Sequence, residues 1–191
     1  GVLFNTVQPS LDPADQGNVI ANWLIVSNWS TTERQGTLTL FDRDGVLLAT
    51  MSLTVPAKGE RHVAAHEVAA NMFGLAIFEP EDNESLFGIR SIRYVYDNPY
   101  EYPSFDGVAA LFGGIPSGAE LATAFNTQEG SAIVEIANAG DTSTEVSVQI
   151  YNQSGESIET LTKILSSRES WHLVLDDYSA ASQGIVTIDG A

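Results

Sequence analysis

Most of the chain consists of short runs in which apolar and polar residues alternate, separated by turn signals about every 8–12 residues. In residues 36–41 Leu alternates with Thr, so one face of an extended strand enters a core while the other meets solvent. Residues 42–45, Asp-Arg-Asp-Gly, then supply a hairpin turn, because glycine readily adopts the positive φ that such turns require. The pattern predicts an all-β protein of short antiparallel strands.

One segment departs from this alternation. Residues 64–73 are rich in good helix formers, and Gly74 follows at the point where a helix would end. We therefore expect one short helix between two strands.

The sequence contains an internal repeat. Laid over one another without gaps, residues 28–68 and 138–178 share one strand, turn, strand pattern, although only five positions are identical. In the first copy these identical residues are Asn28, Thr32, Gly45, Thr50 and His62. One position opposes the match. Lys163 stands where the first copy has Leu53, so we expect the core register of that strand to differ between the copies.

Two further similarities lie outside the gapless block. Phe4-Asn5-Thr6 recurs as Phe125-Asn126-Thr127, and Gly88-Ile89 recurs as Gly184-Ile185. Both matches need loops of different length in the two copies. On this alignment the second copy has no counterpart of the strand predicted at residues 107–112, and we expect it to be one strand short.

This order of strands and turns resembles the immunoglobulin-like sandwich repeats of secreted and cell-surface bacterial proteins. The resemblance rests on the Phe-Asn-Thr opening strand, the Leu-Thr-Leu-Phe strand, the Asp-x-Asp-Gly turn and the Gly-Val-Ala-Ala-Leu strand at residues 107–111. It implies two tandem immunoglobulin-like antiparallel β-sandwich domains, residues 1–116 and 117–191, with the short helix in the first. It also implies a spacer, adhesion or assembly role without chemistry of its own.

Composition narrows the range of functions. The 191 residues include 25 Asp and Glu against 8 Lys and Arg, and the resulting net charge of −17 disfavours nucleic acid, whose phosphates require clustered cations. No apolar run approaches the roughly 20 residues that span a bilayer, so we expect no membrane insertion. The chain has no cysteine, which is compatible with the cytosol and equally with many exported bacterial proteins. It begins at Gly1 without a basic, apolar leader, which we interpret as a mature or trimmed product, and we expect a secreted or cell-surface protein.

No assembled catalytic motif is present in the sequence, and we expect no enzyme. The most suggestive cluster is His62, His66 and Glu67, since two histidines four residues apart on a helix can share a metal ion. The simpler interpretation is two unrelated surface histidines, because His62 falls at the end of a predicted strand. Apart from calcium, no cofactor is expected.

Carboxylates concentrate beyond the predicted helix, at Glu79, Glu81, Asp82 and Glu84. Carboxylate oxygens are the ligands that calcium prefers, so this segment is a candidate calcium site, although it lacks the spacing of an EF-hand loop. The alternative interpretation is a solvated acidic loop.

Aromatic residues crowd into the next segment, at Tyr94, Tyr96, Tyr100, Tyr102 and Phe105. Exposed aromatic rings beside Asp and Asn stack on sugar rings, so this aromatic loop is a candidate binding site for glycans. The alternative is packing of the loop against its own domain, because large aromatic side chains mostly serve burial.

The leading functional prediction is non-catalytic assembly or adhesion outside the cell, as a subunit of a polymer or surface layer. A copy that lacks a strand leaves a sheet edge unpaired, and such an edge accepts a strand from another chain. The apolar N-terminal residues Val2, Leu3 and Phe4 are the candidate donor, for self-association or for attachment to other surface proteins. The alternative function is a carbohydrate-binding module that uses the aromatic loop.

Overall fold

The computed structural model describes residues 1–8, 19–82, 86–96, 107–112, 121–128 and 131–190. Strands make up most of these residues, and every strand pairing among them is antiparallel. The predicted all-β class is therefore confirmed. The chain forms two compact units, Gly1–Gly114 (the first unit) and Ile115–Ala191 (the second unit).

The described part of the first unit contains eight strands and one α-helix. In chain order they are β1 (Val2–Asn5), β2 (Val19–Asn28), β3 (Arg34–Asp42), β4 (Leu47–Val55), β5 (Glu60–Ala64), α1 (Ala65–Val68), β6 (Phe73–Pro80), β7 (Phe87–Tyr96) and β8 (Gly107–Phe112). They form two four-stranded sheets, in the orders β1-β6-β3-β4 and β5-β2-β7-β8. Fully buried side chains from both sheets, including Phe4, Leu24 and Leu40, meet in one core.

The described part of the second unit contains six strands. They are β9 (Leu121–Asn126), β10 (Ile133–Ala137), β11 (Thr144–Asn152), β12 (Ser157–Leu165), β13 (Ser170–Val174) and β14 (Gln183–Gly190). A 3₁₀ turn at Leu175–Asp177 stands in the place of α1. One sheet again has four strands, in the order β12-β11-β14-β9, whereas the other has two, β10 and β13.

The strand pairings show that the repeat continues without gaps as far as β6 and β14. Position for position along the repeat, β11 pairs with β12 and β14 in the same registers by which β3 pairs with β4 and β6. The opening strands are equivalent as well. Thr6 Oγ1 can donate to the carbonyl of either Ala69 or Met72, and Thr127 Oγ1 can donate to either of the corresponding carbonyls of Ser179 and Ser182.

The predicted match of Gly88-Ile89 with Gly184-Ile185 is wrong. Gly184 lies opposite Asn152 in the pair formed by β14 and β11, as Gly74 lies opposite Asp42 in the pair formed by β6 and β3. β14 is therefore the counterpart of β6. Among the described residues of the second unit, both β7 and β8 lack a counterpart, so two strands are missing from that sheet rather than the predicted one.

The register of β12 does not differ from that of β4, contrary to the prediction drawn from Lys163. Lys163 keeps the strand position of Leu53, and its Nζ atom binds Glu169 at 2.7 Å. The same Nζ lies 5.9 Å from the centre of the Trp171 ring. Trp171 occupies the position of Arg61. The first unit therefore has an apolar residue on β4 and a basic residue on β5, and the second unit has them the other way round on β12 and β13.

The helix is shorter than the predicted residues 64–73. Only Ala65–Val68 is helical, and Asn71, at φ 54°, turns the chain so that β6 begins at Phe73. Ala65 and Ala69 are both buried in the core of the first unit. Packing of this single turn, rather than helix propensity along the segment, therefore sets the length of the helix.

A buried asparagine at the end of β2 joins the two sheets of the first unit. Asn28 is fully buried, and its Nδ2 group donates to the carbonyls of Thr32, Val55 and Pro56 at 2.8, 3.1 and 3.1 Å. Val55 is the last residue of β4, which belongs to the opposite sheet. The side chain thus ties the end of β2 to the end of β4.

The second unit repeats this arrangement. Asn138 Nδ2 donates to the carbonyls of Thr142, Leu165 and Ser166 at 2.7, 3.2 and 2.9 Å. The Asn138 side chain therefore ties β10 to the end of β12 in the same way.

Replacing Asn138 with Ala should lower the free energy of unfolding of the second unit by on the order of 2–3 kcal/mol, because buried carbonyls lose their donor. Urea unfolding followed through resolved amide signals of β11 measures this loss. The control is Asn126→Ala, which removes an exposed side chain that accepts one bond from the Gln128 N–H. An equal loss in both variants would contradict the role assigned to Asn138.

Candidate functional site

The two-stranded sheet of the second unit has an open edge. β10 pairs with β13 along its whole length, from Ile133 opposite Val174 to Ala137 opposite Ser170. In the first unit the equivalent strand, β2, is flanked by β5 on one side and by β7 on the other. Within the part of the chain that the structure describes, no strand lies along the second side of β10.

Backbone groups of β10 face this open edge. The Asn138 N–H donates to the Glu169 carbonyl, which lies on the β13 side. Consecutive residues of a strand direct their backbone groups to opposite sides, so those of Ile133 and Ala137 point to the open edge. Such a row of backbone groups is a template for another strand.

The core beneath the open edge is incompletely covered. Leu24 and Val26 of β2 are 0 % exposed, whereas their counterparts Val134 and Ile136 are only partly buried. In the first unit β7 closes this side of the core, and its Ile89 packs there. On the corresponding side of the second core, beside Val134 and Ile136, apolar surface therefore stays exposed, and a further strand would cover it.

Three polar groups lie on the outer face of β10 and β13. The Glu135 carboxylate, whose side chain is 11 % exposed, lies 3.1 Å from His172 Nδ1. Ser170 is 5 % exposed, and its Oγ has no hydrogen-bond partner among the described residues. A buried hydroxyl without a partner costs about 1–3 kcal/mol, so Ser170 marks a place where a bound group can supply a hydrogen bond.

The first unit shows what occupies the corresponding outer face. Arg90 of β7 reaches across β2 and binds Glu60 of β5, with 2.9 Å between Nη2 and Oε1. Hydrogen bonds from His62 and Ser27, together with the charge of Arg90, hold the pKa of Glu60 below its usual value against a smaller opposing effect of burial. Glu60 is therefore ionised at neutral pH.

An unpaired edge was predicted for the second copy, but its position on β10 was not, although the sequence carries a signal for that position. Extending the gapless repeat alignment past residue 68 places Gly74 on Gly184. At both positions a Cβ atom would overlap the carbonyl oxygen of the neighbouring strand and crowd the ring of Phe4 or Phe125. Because both positions require glycine, β14 corresponds to β6. Among the described residues, the second unit then has no counterpart of β7, the strand that pairs with β2 on the side away from β5.

The candidate donor segment is already paired within its own chain, which corrects the prediction. β1 pairs with β6, and Leu3 lies opposite Leu75. Val2 and Phe4 are buried in the core of the first unit. Donation of Val2, Leu3 and Phe4 to another chain would open that core, so the N-terminal segment is not a free donor.

The candidate metal residues do not converge. His62 lies on β5, where its Nε2 is 3.2 Å from Glu60, whereas His66 lies on α1, where its Nδ1 is 3.0 Å from the Asn22 carbonyl oxygen. Glu67 is exposed. The two histidines therefore do not occupy successive turns of one helix. Among the described residues no group of three His, Asp or Glu side chains can hold a metal ion.

The acidic segment also shows no convergence in its described part. Glu79 and Glu81 are exposed, and the Asp82 carboxylate forms an ion pair with Arg34. Glu84 lies outside the described residues. The described carboxylates therefore match the solvated acidic loop better than the calcium site.

Most of the aromatic loop lies beyond the described part of the chain. Tyr94 is partly buried on β7, and Tyr96 is the last residue of that strand. Tyr100, Tyr102 and Phe105 lie outside the described residues. Glycan binding by these residues stays a prediction.

Comparison of the sequence with protein-family models finds no matching family, and comparison with curated proteins finds no similar sequence. Among the described residues, no helix has the length and apolar character needed to cross a bilayer.

The carboxylate of Glu169, beside the open sheet, gives a prediction about pH. Burial raises the pKa of Glu169, but hydrogen bonds from Lys163 and from the Ser166 backbone, with the charge of Lys163, outweigh this effect and lower it overall. A lowered pKa stabilises the fold above the pKa of the unfolded chain, and this contribution is lost as the pH falls through the folded value.

Glu169→Gln should therefore lower the free energy of unfolding at pH 7, by about 1 kcal/mol, and the deficit should shrink as the pH falls below about 4. Urea unfolding between pH 7 and pH 3 measures both effects. Glu145→Gln, at an exposed position on β11, is the matched control and should show neither. A deficit that stays constant over the whole range would refute the assigned ion pair.

Proposed function

We propose that the chain is a non-catalytic module of a secreted or cell-surface assembly, and that its second unit accepts a β-strand from a partner along β10. The observation that carries this proposal is the open edge of β10 beside a partly covered core. The resemblance to immunoglobulin-like repeats and the net charge of −17 agree with a structural or adhesive role outside the cell.

The first unit supports the proposal because it contains the strand that fills the equivalent place. β7 pairs with β2 along its whole length, from Val19 opposite Tyr96 to Asn28 opposite Phe87. Strand addition supplies backbone hydrogen bonds and covers apolar side chains in one step. The groups along the β10 edge and its outer face are apolar side chains, the Glu135–His172 pair and the Ser170 hydroxyl. Ser170 Oγ has no hydrogen-bond partner among the described residues, so this hydroxyl is not paired with a base, and the set suits strand pairing.

Appending a second copy of residues 82–96 after Ala191 should stabilise the second unit, because the new segment repeats the connection that leads from β6 into β7. We expect the midpoint of thermal unfolding of that unit to rise by about 5 °C or more. Amide hydrogen exchange at Ile133 and Ala137 should slow, since their N–H groups acquire partners. Hydrogen exchange resolved by NMR, combined with calorimetry, measures both.

Two substitutions make the test specific. Ala137→Pro removes a backbone N–H that faces the open edge without removing a bond to β13, and it should cancel the gain from the appended segment. Ala137→Val keeps the N–H and should preserve the gain. Unchanged exchange at Ile133 in the appended chain would overturn the proposed function.

A further inference from the structure

We propose that the outer face of β5, β2 and β7 in the first unit binds a neutral oligosaccharide, which stacks on the ring of Trp29 and forms hydrogen bonds with Arg90 and Glu60. We call this surface the saccharide platform, and define it by Trp29, Ser27, Glu60, Gly88 and Arg90. It shares no residue with the β10 edge or with the aromatic loop, so it is a second site that goes beyond the proposed function.

Trp29 presents an aromatic ring to solvent in a fixed position. The residue is 58 % exposed, yet its N–H donates to the Leu86 carbonyl at 2.8 Å and its carbonyl accepts a hydrogen bond from Lys58 Nζ. The ring packs against Gly88, where a Cβ atom would come within 2.8 Å of the ring carbons Cζ2 and Cη2. Because Gly88 has no side chain, the indole packs close to β7 while much of it stays accessible.

The polar groups of the platform lie on the same face as the ring. Strand residues alternate between faces, so Trp29 and Ser27 lie on the side of the sheet away from the buried Asn28. Ser27 lies opposite Gly88 on β7 and opposite Glu60 on β5. Neighbouring strands are about 5 Å apart, so an oligosaccharide that stacks on the ring extends over these groups.

The polar groups are ordered by one another and keep capacity for further hydrogen bonds. Glu60 Oε1 accepts hydrogen bonds from Ser27 Oγ at 3.0 Å and from Arg90 Nη2 at 2.9 Å. Arg90 forms no other hydrogen bond among the described residues, and its side chain is partly exposed. A guanidinium carries five N–H groups, so donors remain for sugar hydroxyls, and the carboxylate beside them is an acceptor.

This combination of groups suits a neutral sugar. One face of a pyranose ring presents C–H groups that pack on an indole, whereas the hydroxyls around the ring need donors and acceptors beside it. The Arg90 and Glu60 charges offset each other, and the net charge of −17 repels anionic glycans. The surface therefore selects a glycan without carboxylate or sulfate groups.

The outer face continues along β2 to a second indole. Trp23 lies on the same face six residues before Trp29, which is about 20 Å along an extended strand. His62 lies near the Trp23 end, with 6.5 Å between the two ring centres, and its Nε2 is 3.2 Å from Glu60 Oε2. This strip is longer than one sugar ring, so we infer an oligosaccharide rather than a single sugar.

The second unit does not carry these groups. In the repeat alignment Ala139 stands in the place of Trp29, Ala137 in the place of Ser27, and Ser170 in the place of Glu60. The aligned positions thus offer neither an indole nor a carboxylate. The inference assigns saccharide binding to the first unit alone.

Isothermal titration calorimetry of the full chain with cellohexaose, mannohexaose, xylohexaose and chitohexaose tests the proposal. We expect at least one hexasaccharide to bind, and Trp29→Ala to weaken its affinity at least about ten-fold, because the stacking surface is lost. Gly88→Ala should weaken it about five-fold or more although the indole is kept, because the added methyl group displaces the ring. Arg90→Gln should also weaken binding, since a charged donor is removed.

The matched control is Leu47→Ala, which removes an equally exposed apolar side chain from β4 and should bind as the parent chain does. Trp29→Phe should retain more affinity than Trp29→Ala, because a smaller aromatic ring still stacks. Circular dichroism and urea unfolding of each variant check that the first unit remains folded.

Several results would overturn the proposal. They are the failure of all four hexasaccharides to bind at millimolar concentration, equal affinities of the parent and Trp29→Ala chains, and tighter binding of an oligogalacturonate than of any neutral hexasaccharide. Loss of binding in Tyr100→Ala and Tyr102→Ala chains, but not in Trp29→Ala, would place the glycan on the aromatic loop instead. The Ala137→Pro chain should bind the hexasaccharides as the parent does, so failure of this inference and failure of the strand site are separate results.

Discussion

The hydrogen bonds from the side-chain amides of Asn28 and Asn138 hold together the two sheets of their respective units. Each amide lies at the end of a strand in one sheet and donates to the last carbonyl of a strand in the other. A buried carbonyl that lacks a hydrogen-bond donor destabilises the folded state. The asparagine amide therefore fixes where β2 meets β4 in the first unit and where β10 meets β12 in the second. It also explains why the asparagine is retained although nearly all surrounding residues differ between the units.

The two units share this linkage and differ chiefly in the sheet that contains β2 in the first unit and β10 in the second. The four-stranded sheets β1-β6-β3-β4 and β12-β11-β14-β9 keep the same registers, turns and glycine contacts. The other sheets differ at the neighbour of β2 and β10. Two polar positions on the outer face also differ between the units: Ser170 replaces Glu60, and Glu135 replaces Ile25. Both positions lie where the Arg90 side chain extends in the first unit.

Much of the fold followed from the sequence because alternation and turn residues are local signals. The hairpin turn at Gly45 was predicted and is present, with Gly45 at φ 82°. Strand neighbours were harder to predict, because the two-residue match of Gly88-Ile89 with Gly184-Ile185 competed with the gapless match of Gly74 with Gly184, and strand pairing shows that the gapless match is the correct one. The β10 edge is defined by the absence of a neighbouring strand among the described residues, and a local sequence pattern does not report such an absence. The N-terminal segment was misassigned because an apolar strand has the same pattern whether it is buried in its own core or donated to another chain.

The incomplete sheet also affects how long the second unit remains folded. A ligand that binds only the folded state adds RT ln(1 + [L]/Kd) to stability, about 2.7 kcal/mol when its concentration is one hundred times Kd. Local opening exposes the chain to proteases in proportion to the open population. If the second unit accepts a strand along β10 as proposed, its turnover follows the occupancy of that edge, and the lifetime of the unit depends on how fully the edge is covered.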